Sequence, residues 1–146
     1  MPTTKTPQEL EWENKLLHEI LDNVSDGVYA VTKDGQIIVY NKTMEKIEGT
    51  DRKFVLGYKD TEVYNIFSTD QYLRSELTKT GKNIKNRRLT YHMATGYKVE
   101  MVTNAYVYSE NHDITAVYCV MQDISNINRL QERIISLNSL LNQSRD

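Results

Sequence analysis

The sequence predicts an α+β domain with a five-stranded antiparallel sheet and a helical insert between strands two and three. Five stretches are β-prone, and the last three alternate between an apolar and a second set of side chains, as strands do. The helix-forming stretches between the second and third strands are grouped, which favours helices packed on one face of the sheet. Amphipathic helices are also predicted at both ends of the chain.

Composition limits the classes of function. The 146 residues are enough for one domain, and the net charge of -2 argues against direct binding of nucleic acid. The chain has one cysteine, no apolar leader in its first 25 residues, and no apolar run as long as the roughly 18 residues of a membrane span. We therefore expect a cytoplasmic protein that does not contact a membrane.

The N-terminal part predicts a helix. Residues 1–6 are polar and are expected to form a disordered tail, and residues 7–24 form an amphipathic helix that begins near Pro7. Its apolar stripe includes Leu10, Leu17, Ile20 and Leu21.

A hairpin and the helical insert follow. Asp34-Gly35 between residues 28–32 and 36–40 is a strong hairpin signal. After it, Asn41 caps a helix over residues 42–48 that turns Met44 and Ile47 to one side. Further short helices are predicted around residues 51–57 and 64–67, and a longer one over residues 71–80, capped by Asp70.

Three antiparallel strands are predicted over residues 84–93, 97–108 and 114–122. Alternation assigns these residues to the inner face: Leu89, Tyr91, Met93, Val99, Met101, Thr103, Ala105, Val117, Cys119 and Met121. The other face of the last two strands is also largely apolar. A sheet with one face exposed to solvent should instead alternate between apolar and polar side chains along each strand. We therefore expect the N-terminal helix and a second subunit to cover it, with these interface residues: Leu10, Leu17, Ile20, Leu21, Val102, Tyr106, Tyr118 and Val120.

The C-terminal residues 126–146 predict a helical linker. Ile127, Ile134 and Leu141 repeat every seven residues, with Leu130 and Leu137 three after the first two, a pattern that favours parallel dimers. The run covers only about two and a half heptads, so a helix folded back on its own domain remains the alternative. Asp123 and Ser125 mark the joint between strand and helix, and together with the heptad positions they are our candidate signal linker.

The order of these motifs resembles the PAS sensor family over about residues 20–125. The matching motifs are Asp22-Asn23-Val24-Ser25-Asp26-Gly27-Val28, Asp34-Gly35 with Ile37-Ile38-Val39-Tyr40-Asn41, then Gly49, Gly57, Gly96 and Asp123-Ile124-Ser125. The last triplet looks like the family's Asp-Ile-Thr signature with Ser in place of Thr. We therefore assign residues 25–125 to a PAS sensor domain.

Within the family, the chain looks most like the N-terminal input domains of bacterial sigma-54-dependent transcription activators, including those that govern arginine use. This resemblance implies an output formed by an ATPase and a DNA-binding domain in the full-length protein. No phosphate-binding loop occurs in these 146 residues, so we expect an excised or a stand-alone sensor.

The resemblance also implies a pocket between the helical insert and the inner sheet face. The candidate lining is Met44, Ile47, Arg87, Leu89, Tyr91, Met101, Thr103, Cys119 and Met121. Arg87 shares the parity of Leu89 and Tyr91 and could bind a carboxylate, although it equally fits a solvated strand end. The apolar residues equally describe a filled core.

Cofactors and catalysis have little support. Flavin-binding light sensors of the family carry an Asn-Cys-Arg motif in the insert, which is absent, and residues 70–81 contain no histidine that could bind haem. No His, Cys, Asp and Glu spacing predicts a metal site, and no nucleophile has a visible base, so no catalytic residue is assigned. An unidentified small metabolite remains the ligand to consider.

The predicted function is a non-catalytic sensor that forms a homodimer and couples small-molecule or partner binding to an output domain by population shift. The output is expected to be sigma-54-dependent transcription. Two alternatives remain open: a pure interaction and dimerisation module with a filled core, and the sensor of a histidine kinase.

Overall fold

The structure, a computed structural model, describes residues 4–64 and 72–144, apart from the side chains of residues 125, 126, 128 and 144. The helices are α1 (Pro7–Asn23), α2 (Lys42–Glu48), α3 (Asp60–Val63), α4 (Leu73–Thr80) and α5 (Ser125–Ser144), with a 3₁₀ turn at Arg52–Phe54. The strands are β1 (Gly27–Thr32), β2 (Ile37–Tyr40), β3 (Ile84–His92), β4 (Lys98–Glu110) and β5 (Asp113–Asp123).

The five strands form one antiparallel sheet in the order β2-β1-β5-β4-β3. The predicted α+β architecture is therefore confirmed, with the helical insert between β2 and β3. The first and last strands meet at the centre, where Tyr29 lies opposite Cys119. This pairing brings the two ends of the domain together and leaves α1 and α5 to continue beyond it.

The core lies between the inner sheet face and the insert helices. From the sheet it receives Met93, Val99, Met101, Thr103, Ala105, Val117, Cys119 and Met121, which are all at most 4% exposed. From the insert it receives Met44, Ile47, Val55, Val63 and Leu77. Alternation along the strands produces this separation, because every second side chain points to the same face.

Close packing fixes the position of α2 against β1. A Cβ atom on Gly27 would lie 2.6 Å from Met44 Sδ and 2.8 Å from Ile47 Cδ1. Any larger residue at this position would therefore require the ends of the Met44 and Ile47 side chains to move. The turn between β1 and β2 depends on a second glycine, since Gly35 has φ +102°, as the Asp34-Gly35 hairpin signal predicts.

The insert contains one short helix that the sequence did not predict, α3 at Asp60–Val63, and Tyr64 after it forms an isolated bridge with Met93. Residues 65–67 of the helix predicted around residues 64–67, and the proposed cap Asp70, lie outside the described residues.

The N-terminal helix α1 does not lie where the sequence led us to expect. Thr6, assigned above to the tail, is its N-cap, and its Oγ1 accepts a hydrogen bond from Glu9 N at 3.1 Å. No residue of α1 is buried, and its apolar side chains are 40–64% exposed at these positions: Leu10, Trp12, Leu16, Leu17 and Ile20. Within one chain, α1 therefore does not shield the outer sheet face.

Instead, the C-terminal end of α1 is attached to the start of α2. Asn41 Nδ2 donates to Leu21 O at 2.7 Å, Lys42 N donates to Asp22 Oδ1 at 3.0 Å, and Thr43 Oγ1 donates to Val24 O at 2.8 Å. These bonds hold the helix end to the insert because they satisfy groups that a helix terminus leaves unpaired.

The C-terminal helix α5 leaves the domain with its apolar stripe uncovered. Ile127, Leu130, Ile134, Leu137 and Leu141 are each 51–60% exposed, so the stripe does not fold back on its own sheet. Among the helices of the described part of the chain, none is long and apolar enough to cross a membrane.

Candidate functional site: a tyrosine-lined cavity beneath the sheet

A cavity of about 300 Å³ lies between the inner sheet face and helices α3 and α4. Its wall is formed by Tyr29, Val31, Asp60, Tyr64, Tyr72, Leu73, Arg74, Leu89, Thr90, Tyr91, Val117, Cys119 and Met121. Most of this wall is apolar or aromatic, with a few polar groups among it. Such a composition and volume are typical of small-molecule sites.

The central strands supply the floor of the cavity. Alternation along β5 turns Val117, Cys119 and Met121 inward, and β1 adds Tyr29 beside them. Burial raises the pKa of the Cys119 thiol to about 12, so the thiol stays protonated and is a small apolar contact rather than a nucleophile.

A buried carboxylate lies behind the cavity and is bound by three tyrosine hydroxyls. Glu48 is fully buried at the end of α2. Its Oε1 accepts from Tyr40 Oη at 2.6 Å and from Tyr64 Oη at 3.0 Å, and its Oε2 accepts from Tyr91 Oη. Because each hydroxyl comes from a different element, this one side chain connects α2 with β2, β3 and the residue after α3.

Burial shifts the pKa values of Glu48 and of the tyrosines bonded to it. Burial raises the pKa of Glu48 above its usual value, although the three hydroxyl donors favour the charged form and oppose the shift. Burial, followed by the nearby charge of Glu48, raises the pKa of Tyr64 and Tyr91 well above 10. The hydroxyls therefore remain neutral donors to the carboxylate.

A second buried carboxylate, Asp60, belongs to the cavity wall together with Arg74. Asp60 accepts from Arg74 Nε at 2.7 Å and from Arg74 Nη2 at 3.1 Å, with side-chain exposures of 3% and 17%. Arg74 Nη1 also donates to Lys33 O at 3.2 Å, and Asp60 N donates to Gly35 O at 2.9 Å. The pair therefore fastens α3 and α4 to the β1–β2 turn.

The predicted pocket residues divide into two groups. Leu89, Tyr91, Cys119 and Met121 line the cavity, whereas Met44, Ile47, Met101 and Thr103 are buried in the adjoining core.

Arg87 does not reach the cavity. It lies at the sheet edge, 41% exposed, and forms an ion pair with Glu76 of α4. The register of β3 shifts between Ile84 and Arg87, where Asn86 has φ +52°. The arginine that lines the cavity is Arg74.

The predicted interface residues remain accessible in the single chain. On the outer sheet face, Val102, Tyr106 and Val120 are half-buried and Tyr118 is 38% exposed, with the rings of Tyr106 and Tyr118 stacked at 5.0 Å. On α1, Leu21 is half-buried, and its carbonyl oxygen accepts a hydrogen bond from Asn41 at the start of α2.

The linker residues lie at the joint between β5 and α5. Asp123 is the last residue of β5 and pairs with Met101, and Ile124 N donates to Glu100 O at 3.2 Å. Ser125 begins α5, but its side chain lies outside the described residues.

Sequence reasoning missed the most polar part of the site. The sequence gives no sign that three charged residues of short helices are buried or half-buried: Glu48, Asp60 and Arg74. Their spacing is that of ordinary charged residues on a helix surface. One signal was available: the chain has ten tyrosines and only two phenylalanines. An interior that binds buried carboxylates needs hydroxyl donors, and tyrosine supplies them while still filling space.

No group of three or more His, Cys, Asp or Glu side chains within residues 4–64 and 72–144 is arranged to hold a metal ion. The two buried carboxylates of the described residues are held by tyrosine hydroxyls and by Arg74, respectively.

Comparison with known proteins identifies relatives. The family model described as PAS fold matches residues 15–124. The transcriptional activator RocR of Bacillus subtilis (strain 168) is 24% identical over 123 residues, which are 84% of this chain and 27% of RocR. The chain therefore spans about a quarter of the length of that relative.

Solved structures share the fold at low identity. The E. coli DhaR(N)–DhaL complex matches with a TM-score of 0.65 and 16% identity, over 79% of this chain and 37% of that one. A PAS domain from Colwellia psychrerythraea matches with a TM-score of 0.62 and 17% identity, over 78% of this chain and 98% of that one. Likeness at these identities shows the fold alone.

Proposed function

This chain belongs to the PAS family, whose model matches residues 15–124, and from that membership we propose that it is a non-catalytic sensor domain. It dimerises and couples the binding of a small molecule to an output domain. The proposed output is sigma-54-dependent transcription, as the sequence resemblance implies. The similarity to RocR, a transcriptional activator, supports a role in transcription regulation.

The observation that carries the sensing proposal is the cavity of about 300 Å³ beside the buried Asp60–Arg74 and Glu48–tyrosine groups. A largely apolar cavity of this size, partly open to solvent, can admit a small molecule. Polar groups in an otherwise apolar wall, here Asp60 and Arg74, can orient a ligand.

The proposal of a dimer is supported by apolar surface that the single chain leaves uncovered. The stripes of α1 and α5 and the stacked Tyr106–Tyr118 pair are all accessible. Contiguous exposed apolar surface on a small domain commonly marks an interaction site. The heptad spacing of α5 supports a parallel pair of helices that leads toward an output domain.

Ligand binding is tested on the purified chain by native mass spectrometry and by thermal shift across a metabolite panel. A compound at 100 times its Kd stabilises by about 2.7 kcal/mol. For a domain of this size that corresponds to a rise in Tm of about 5–11 °C. We expect either a retained ligand mass or a shift of this size.

Two matched variants locate the binding. Leu89→Trp places a large ring in the cavity wall and should abolish the shift. Leu56→Trp makes the same change at a partly buried core position outside that wall and should leave it intact. A clean apo mass with no shift for any compound would instead favour the interaction module with no ligand.

A further inference from the structure

We propose that Glu48 and the ion pairs of Arg52 form a connection between the cavity and helix α1, through which the contents of the cavity change how firmly α1 is held. The inference rests on the proposed sensing function for the identity of the natural stimulus, but the connection itself is a property of the unliganded chain.

The cavity side of the connection is formed by two tyrosines. The side chains of Tyr64 and Tyr91 belong to the cavity wall, and their rings pack edge to face at 5.6 Å between centroids. Both hydroxyls donate to Glu48, which has no exposed surface. A ligand that displaces either ring must therefore lengthen or break a bond to Glu48.

Helix α2 carries this change over a short distance. Glu48 and Glu45 lie three residues apart on the same seven-residue helix. Glu45 Oε2 accepts from Arg52 N at 3.0 Å, and Glu45 Oε1 accepts from Arg52 Nε at 3.3 Å. A helix of two turns moves as one piece, so a shift at Glu48 displaces Arg52.

Arg52 then reaches α1. Its Nη2 donates to Asp22 Oδ1 at 3.0 Å and its Nη1 donates to Asp22 Oδ2 at 3.3 Å, so one guanidinium joins Asp22 and Glu45. The three side chains are only 21–30% exposed, which protects the contacts from full solvent screening.

Helix α1 is open to such a change. None of its residues is buried, and its apolar stripe is exposed, so the bonds to α2 contribute much of what holds it. Elements with few buried contacts open locally at low free-energy cost, and a weakened attachment is then directly visible in their amide exchange.

The test is a double-mutant cycle read by amide hydrogen exchange of residues 17–23 in the full chain without ligand. Tyr91→Phe, and independently Tyr64→Phe, remove one hydroxyl to Glu48 and should speed exchange there by about 2- to 30-fold, the usual range for coupled sites. In an Asp22→Asn background, where the Arg52 ion pair is already lost, the same hydroxyl deletions should have little further effect.

Tyr29→Phe is the matched control, because it deletes a hydroxyl from the same cavity wall at a tyrosine whose ring contacts Tyr64 but which is not bonded to Glu48. The β4–β5 amides report any global destabilisation. Faster exchange confined to residues 17–23 and lost in the Asp22→Asn background supports the connection. Additive effects, or equal effects of Tyr29→Phe and Tyr91→Phe, would overturn it, and neither result depends on whether a metabolite binds.

Discussion

Replacing Arg74 with methionine should destabilise the domain strongly, because it leaves the carboxylate of Asp60 buried without a partner. Asp60 is only 2% exposed and receives two guanidinium bonds from Arg74, at 2.7 and 3.1 Å. Removing one member of a buried pair typically costs about 3–5 kcal/mol. At about 2–4 °C per kcal/mol, we expect Tm to fall by about 6–20 °C.

Urea denaturation followed by circular dichroism measures this loss. The double variant Asp60→Asn with Arg74→Met removes the orphaned charge and should recover part of the stability, with a residual cost of about 1–3 kcal/mol for an unsatisfied amide. The two substitutions are therefore expected to be far from additive, as neighbouring groups in one bonded pair are.

Arg87→Met is the matched control, since Arg87 also forms an ion pair, with Glu76, but the two side chains are 41% and 39% exposed. An exposed pair of this kind contributes about 0–1 kcal/mol. The reasoning fails if Arg74→Met costs no more than Arg87→Met, or if the double variant loses the sum of the two single losses.

Three further predictions concern the interface, the buried acid and the packing of β1. Val102→Glu and Tyr118→Glu place charge on the apolar outer face and should yield monomers or insoluble protein, whereas a light-scattering mass that stays dimeric in both soluble variants would contradict this interface. The raised pKa of Glu48 means that the folded state holds a proton that the unfolded state has released, so stability should fall as pH rises from about 4.5 toward the folded pKa. Glu48→Gln should lack this fall in urea titrations, and parallel curves for the two proteins would refute it. Gly27→Ala should cost about 1–3 kcal/mol in the same assay, because its Cβ would lie 2.6 Å from Met44 Sδ, and unchanged stability would show that the Met44 and Ile47 side chains move aside freely.

Strand periodicity was enough to predict the sheet and its inner face. Met101, Thr103, Cys119 and Met121 lie there because a strand has a fixed period of two, which no tertiary contact can change within an unbroken strand. The same rule wrongly placed Arg87 in the cavity, because β3 is an edge strand with a register shift, and Arg87 pairs at the sheet edge with Glu76 of α4.

The polar part of the site was beyond local patterns. Glu48 is buried only because Tyr40, Tyr64 and Tyr91 arrive from elements 8, 16 and 43 residues away. No window of sequence contains that information. Similarly, the apolar stripe of α1 correctly predicted a helix but not its location. Such a stripe indicates that the helix packs against another apolar surface, but it does not identify that surface.

The position of Trp12 determines what an optical experiment on this protein measures. The only tryptophan of the chain lies on α1, 64% exposed and outside the hydrophobic core. Its emission reports the surroundings of one loosely held segment, whereas tyrosine absorbance follows the rest of the chain, since all ten tyrosines lie outside α1. Unfolding curves recorded by tryptophan emission should therefore depart from those recorded by tyrosine absorbance, and an apparent intermediate in such data would be the detachment of α1.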